Sequence, residues 1–192
     1  VYTKFFLEQI LHAFEKNLVA NQVCELGSNS WDIRLNGMLK AKDSITVCET
    51  PQEFFKQKGS TLKQYNRTPP LGQKTVLAKD VFENSIDILP AFNQLHHITA
   101  PNGVIIMNLP IGITCHVGSI SIGALIHIAQ VNHYEVPFFA ISNENGDVIE
   151  KINTNSVYNT SKLKELLYKF RETIDLRLAA TFIKTSEEDF QT

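Results

Sequence analysis

The run Val104-Ile105-Ile106-Met107-Asn108-Leu109 is apolar at five of its six positions and rich in β-branched side chains. It carries no alternation of apolar and polar residues. A strand with one wet face alternates, whereas a strand covered on both faces reads as a nearly continuous apolar run. This segment therefore predicts a central strand of a layered α/β sheet.

The flanks agree. Upstream, Ile88, Leu89, Phe92, Leu95 and Ile98 form a helical stripe across Asp87 to Thr99, with Pro90 tolerable in the first turn. Pro101-Asn102-Gly103 predicts a turn into the strand. Downstream, a loop from Pro110 to Ser119 leads into a helix, Ile120 to Val131, and then a strand, Tyr134 to Ser142. Asn145-Gly146 is a hairpin signal before Val148 to Ile152. Ser161 caps a helix with the stripe Leu163, Leu166, Leu167 and Phe170, and Leu176 to Lys184 is the last strand.

Toward the N-terminus, Leu7, Leu11, Phe14 and Leu18 predict a helix over the first twenty residues. Gln22 to Leu26 is a strand broken at Gly27, Trp31 to Lys40 is helix-like, and Ser44 to Cys48 is a second strand. Pro51 to Gly59 is a short helix, Ser60 to Asn66 a weaker third strand, Arg67 to Lys74 a loop, and Thr75 to Val81 a fourth strand. Strands thus alternate with helices, which predicts an α/β fold with a mostly parallel sheet, helices on both faces and antiparallel pairing near the C-terminus. The domain is expected to be single, with an N-terminal helix over 1–20, a core over 21–185 and a tail over 186–192. The chain starts at Val1 and stops abruptly at Thr192, which reads as a processed, trimmed or excised part of a longer protein.

Composition excludes several classes. At 192 residues, 43% hydrophobic and 20% charged, the chain can bury a core and is not disordered. A net charge of -2 disfavours a domain-wide nucleic-acid surface, and no apolar run approaches a membrane span. The basic residues Lys56, Lys58, Lys63, Arg67, Lys74 and Lys79 lack interleaved aromatics and read as a solvated face. Three cysteines suit a reducing, cytoplasmic setting, with Cys24 and Cys48 as buried thiols inside strands. No histidine or cysteine spacing suggests a metal site.

In open sheets of this kind ligands sit beyond the carboxyl ends of the strands. Gly27 ends the first strand and allows a tight turn and close backbone approach, and Glu49 ends the second, placed to accept hydrogen bonds from ribose hydroxyls. Together they suggest a nucleoside-type ligand; an ordinary turn with an N-cap acid is the alternative. His116, beside Cys115 in the loop after Leu109, is the best general-base candidate, with a surface loop histidine as the plain alternative. His96 and His97 lie late in a helix, where an imidazolium complements the dipole.

Val23-Cys24-Glu25-Leu26-Gly27-Ser28-Asn29-Ser30-Trp31-Asp32 resembles the first motif of class I S-adenosylmethionine-dependent methyltransferases, closest to the FkbM-like version. Val47 to Phe54, Lys79-Asp80-Val81-Phe82-Glu83-Asn84 and His96 to Pro110 are similar to later segments of the same family, and Ala179 to Lys184 to its antiparallel last strand. The resemblance runs from about Gln22 to Lys184 and rests on order and spacing. It implies a Rossmann-like doubly wound sheet and S-adenosyl-L-methionine as methyl donor. It implies Glu25 near the donor's amine, Gly27 and Ser28 amides near its carboxylate, Glu49 on the ribose and Asn66 at the adenine edge. Asp80 and Val81 would line the pocket near the methyl group, with Asp80 a second candidate for a catalytic role. The acceptor would be a small or sugar-like molecule methylated at oxygen. Trp31 replaces a glycine of the family pattern and Asn84 a frequent histidine, which fits an alternative: a catalytically inactive methyltransferase-like module of a larger assembly. A nicotinamide-dependent oxidoreductase predicts a richer glycine loop than Gly27 alone.

Overall fold

The computed structural model describes residues 4–20, 22–27, 40–46, 71–79, 88–111, 122–143, 145–152 and 176–192, together with Glu165 and Tyr168. Helices α1 (Lys4–Glu15), α2 (Ile88–Ile98) and α3 (Ile122–Val131) pack on a sheet of β1 (Gln22–Gly27), β2 (Lys40–Thr46), β3 (Gln73–Lys79), β4 (Thr99–Ile111), β5 (Glu135–Ser142), β6 (Val148–Lys151) and β7 (Leu176–Ile183). The seven strands lie in the order β2-β1-β3-β4-β7-β5-β6. Pairing is parallel between β1 and β3 and between β3 and β4, and antiparallel in the other ladders.

The sheet is therefore mixed, with a parallel centre and antiparallel flanks. The C-terminal strand is reversed as expected: β7 inserts antiparallel between β4 and β5. The second strand departs from expectation. It starts at Lys40, inside the stretch read as helix, and runs antiparallel to β1, with Lys40 opposite Gly27 and Thr46 opposite Gln22. Lys40 stands beside Gly27 at the start of β2, so β2 runs back along the open edge of β1, and antiparallel pairing of this kind does not require the chain to return to the other end of the sheet first.

Helices cover both faces. Phe92 and Leu95 of α2 and Leu125 and Ile128 of α3 join Val76, Ile105, Met107 and Phe182 in the larger core. Phe6, Ile10 and Ala13 of α1 meet Val23, Leu77, Val104 and Ile106 on the opposite face. Burying side chains such as Phe92 and Phe182 contributes about 1.5–3 kcal/mol each.

The buried face of α1 is not the stripe read from sequence. Phe5, Phe6, Gln9, Ile10 and Ala13 are buried, while Leu7 is exposed and Phe14 and Leu18 are half-buried. Two apolar stripes overlap on this helix, and the one carrying two phenylalanines faces the sheet. Helices α1 and α3 end alike. The amide of Leu18 bonds Ala13 O and that of Asn17 bonds Phe14 O; Tyr134 bonds Ala129 O and His133 bonds Gln130 O. These are Schellman closures with Asn17 and His133 in the left-handed region, at φ 54° and 53°.

The expected turn at Pro101-Asn102-Gly103 is absorbed into β4. Asn102 has φ 59°, and the β3–β4 register shifts between Gln73 and Thr75, so the turn becomes a bulge in a strand longer than predicted. Gly146, at φ 80°, makes the hairpin between β5 and β6. The helix expected at 51–59 and the strand at 60–66 lie outside the described residues, and of the helix after Ser161 only Glu165 and Tyr168 are described, both helical and exposed.

The tail is not a loose appendage. Residues 184–192 have no regular structure, yet Phe190 packs on the larger core and Gln191 exchanges two hydrogen bonds with the Asn132 side chain, at 2.8 and 3.0 Å. Sequence polarity hid this docking because its anchors are backbone groups and one aromatic ring.

Candidate functional site

The order of strands fixes where a ligand can enter. From β1 the chain passes to β2 on the outer side and then to β3 on the inner side, so connectivity reverses between β1 and β3. A crevice forms where neighbouring strands send their connections apart, beyond their carboxyl ends. Glu25 pairs with Leu77, which brings Gly27 and Lys79, the final residues of these parallel strands, to the same edge. Asp80 and Val81 directly follow Lys79 in the chain.

Of the candidate site residues, Glu25 and Gly27 fall among the described strands, at that edge. Ser28, Glu49, Asn66, Asp80, Val81 and His116 lie outside the described residues, as do Trp31, Asn84, Cys48 and Cys115. Thr46, the end of β2, stands opposite Gln22, at the far end of β1 from Gly27. A parallel second strand delivering an acid beside Gly27 is therefore not the arrangement of the described residues.

The same edge carries a polar network that the sequence did not announce. Lys79 pairs with Asn108 in the β3–β4 register, and its ammonium lies 5.8 Å from the centroid of the Phe6 ring, within cation–π range. Asn108 is fully buried; its Nδ2 donates to Gln9 Oε1 at 3.3 Å, and its Oδ1 accepts from Arg177 Nε at 2.9 Å. Gln9, also fully buried, donates through Nε2 to Met107 O at 3.0 Å and to Thr181 Oγ1 at 3.2 Å. Because β7 is reversed, its first residues reach the carboxyl ends of β4 and β5, with Arg177 opposite both Pro110 and Ser142. Ser142 Oγ is buried without a hydrogen-bond partner. A glutamine in an otherwise apolar helical stripe was the available signal for this network.

At the opposite end of the sheet, His96 is buried at the end of α2. Its Nε2 lies 2.7 Å from Glu188 O, and its Nδ1 lies 2.6 Å from the Tyr134 hydroxyl. A carbonyl only accepts, so Nε2 carries the hydrogen and Nδ1 accepts from Tyr134. Burial holds the His96 pKa below its ordinary value, opposed by the Glu188 carbonyl. Burial likewise raises the Tyr134 phenol and lowers the Lys184 ammonium. Lys184 donates to His96 O at 2.8 Å and Thr99 O at 3.0 Å, satisfying carbonyls at the end of α2. These groups are a structural joint, remote from the carboxyl edge.

Among the described residues no group of three His, Cys, Asp or Glu side chains is placed to hold a metal ion, and no helix is long and apolar enough to cross a membrane. Cys24 is a buried thiol that forms no disulfide, as expected. Compared with models of protein families and with curated proteins, the chain matches none.

Proposed function

We propose that this chain is an S-adenosylmethionine-dependent methyltransferase that methylates a small or sugar-like acceptor at oxygen. The observation that carries the reading is the shared edge of β1 and β3, where Gly27 and Lys79 end parallel neighbours at the reversal of the sheet and Asp80-Val81 comes next in the sequence. The reversed β7 supports it, since the resemblance expects an antiparallel last strand.

The chemistry asks little of the protein. The donor supplies an activated methyl group for in-line displacement, and the residues align the partners and exclude water. Gly27 and Ser28 amides would take the donor's carboxylate, Glu25 its amine and Glu49 its ribose. Asn66 would address the adenine, and Asp80 and Val81 would close the pocket near the reacting centre. His116 would remove the acceptor's hydroxyl proton.

Calorimetric titration with S-adenosylmethionine, S-adenosylhomocysteine and NAD tests the reading. Saturable binding of S-adenosylhomocysteine is expected; binding of NAD alone would overturn it in favour of an oxidoreductase. One observation favours a second reading. The antiparallel β2 leads away from Gly27, which suits a module that has given up donor binding, and silence from all three ligands is its expected result.

A further inference from the structure

The C-terminal residues make an assembly that neither reading above uses. Segment 184–192 crosses the ends of α2 and α3 and is held at four points. Asn102 N donates to Lys184 O at 2.6 Å and Lys184 N to Gly103 O at 3.0 Å. Thr185 Oγ1 donates to His133 O at 2.6 Å. His96 Nε2 donates to Glu188 O, and Gln191 clasps Asn132. Phe190 then lies over the imidazole, with ring centroids 5.7 Å apart. The imidazole also meets Tyr134, with ring centroids 5.8 Å apart, and Tyr134 stacks on Phe182.

We propose that segment 184–192 is a strap latched over His96, and that mild acid releases it from the ends of α2 and α3. The groups facing the imidazole set the sign. Tyr134 comes from the turn between α3 and β5, Lys184, Glu188 and Asp189 from the strap, and His97 from α2 itself. Burial, the Lys184 ammonium and His97 oppose a charge on the ring, while the Glu188 carbonyl and the Asp189 carboxylate favour it; burial dominates. A charged ring would also turn Nδ1 into a donor, leaving the buried Tyr134 hydroxyl hydrogen without its acceptor. With the strap lifted, the ring meets water and regains ordinary basicity. Protons therefore bind the open form more tightly than the closed form, and by linkage acid favours opening. The latch is independent of any donor site.

Hydrogen exchange of the full chain, corrected for intrinsic rates, tests this. Between about pH 7.5 and about pH 5, protection of the Gln191 amide should fall by about tenfold. Amides of Ile105 and Phe182 should keep their protection, which separates strap release from unfolding. His96→Gln keeps a donor for Glu188 O and an acceptor for Tyr134 but does not titrate, so its strap should stay protected at both pH values. A strap in the unmutated chain that is equally protected at both, or a pH response that survives in His96→Gln, overturns the proposal. Should that variant fail to fold, NMR titration of the unmutated chain decides. His96 and the Phe190 ring must titrate together, and separate transitions overturn the latch.

Discussion

Thr46 stands opposite Gln22 across the β1–β2 ladder, so the outermost strand on that side ends at the end of β1 remote from Gly27. This makes Glu49 the sharpest discriminator of function. If it holds a ribose, Glu49→Ala should weaken S-adenosylhomocysteine binding by about 1–3 kcal/mol, the cost of lost hydrogen bonds to a charged group. Unchanged affinity by calorimetry removes Glu49 from the site. In the same assay His116→Ala should leave donor affinity alone while lowering methyl transfer to an accepted substrate.

Gln9 ties α1 to β4 and β7 through Met107 O, Thr181 and Asn108. Gln9→Leu keeps an apolar stem of similar size but leaves Asn108 Nδ2 without this acceptor in a buried setting. Urea denaturation should show a loss of about 1–3 kcal/mol, the cost of an unsatisfied buried polar group. A neutral result would mean that water replaces the amide.

Gly103 and Gly72 should respond oppositely in kind. A Cβ at Gly103 would lie 2.6 Å from Ala100 O within β4 and 3.0 Å from Gln73 O of β3, both backbone atoms, so Gly103→Ala must distort the bulge of β4 and crowd its neighbour. At Gly72 nothing lies within 4 Å, but φ is +77°. There Gly72→Ala should cost only the left-handed penalty of about 1–2 kcal/mol. Thermal melts should rank Gly103→Ala as the more damaging; the reverse order would contradict the bulge geometry.

His12 and His96 both have lowered pKa values, each chiefly through burial. As pH falls below the ordinary value of 6.5, the unfolded chain takes up protons before the folded one. The stability they contribute is complete above that value and is lost as pH falls through their lowered folded values. The Lys4–Asp147 ion pair holds the Asp147 carboxyl below its ordinary 3.8, so its contribution is lost only in stronger acid. Denaturant midpoints should therefore already drop between about pH 7 and about pH 5, and His12→Leu with His96→Gln should flatten that slope. An unaltered slope in the double variant would assign it to other groups.

Elements whose local pattern agrees with their burial were legible. The apolar run of β4, the Pro90 start of α2 and the Asn145-Gly146 turn each matched, because burial on both faces, one helical stripe or one turn geometry decides the pattern there. What failed was decided by partners distant in sequence. Gln9 is buried because Met107, Asn108 and Thr181 receive it, and no stripe of apolar residues encodes that. The direction of β2 depends on which strand edge is open, and the docking of Phe190 depends on His96 and the core beneath it. For the candidate site, residue order pointed to the carboxyl edge of β1 and β3, but the Arg177–Asn108 contact there joins residues 69 positions apart.

The placement of β7 has a consequence for how the chain is made. It leaves the ribosome after the other described strands of its sheet, yet it fills the space between β4 and β5. Until those residues emerge, β4 and β5 each present an open edge of unpaired amides and carbonyls, a hazard for intermolecular pairing. Because synthesis proceeds from the N-terminus at about 5–20 residues per second, nascent chains dwell with the sheet split in two. Truncation before Leu176 would leave that split permanent, so nonsense fragments of this protein should aggregate rather than fold as smaller versions of it.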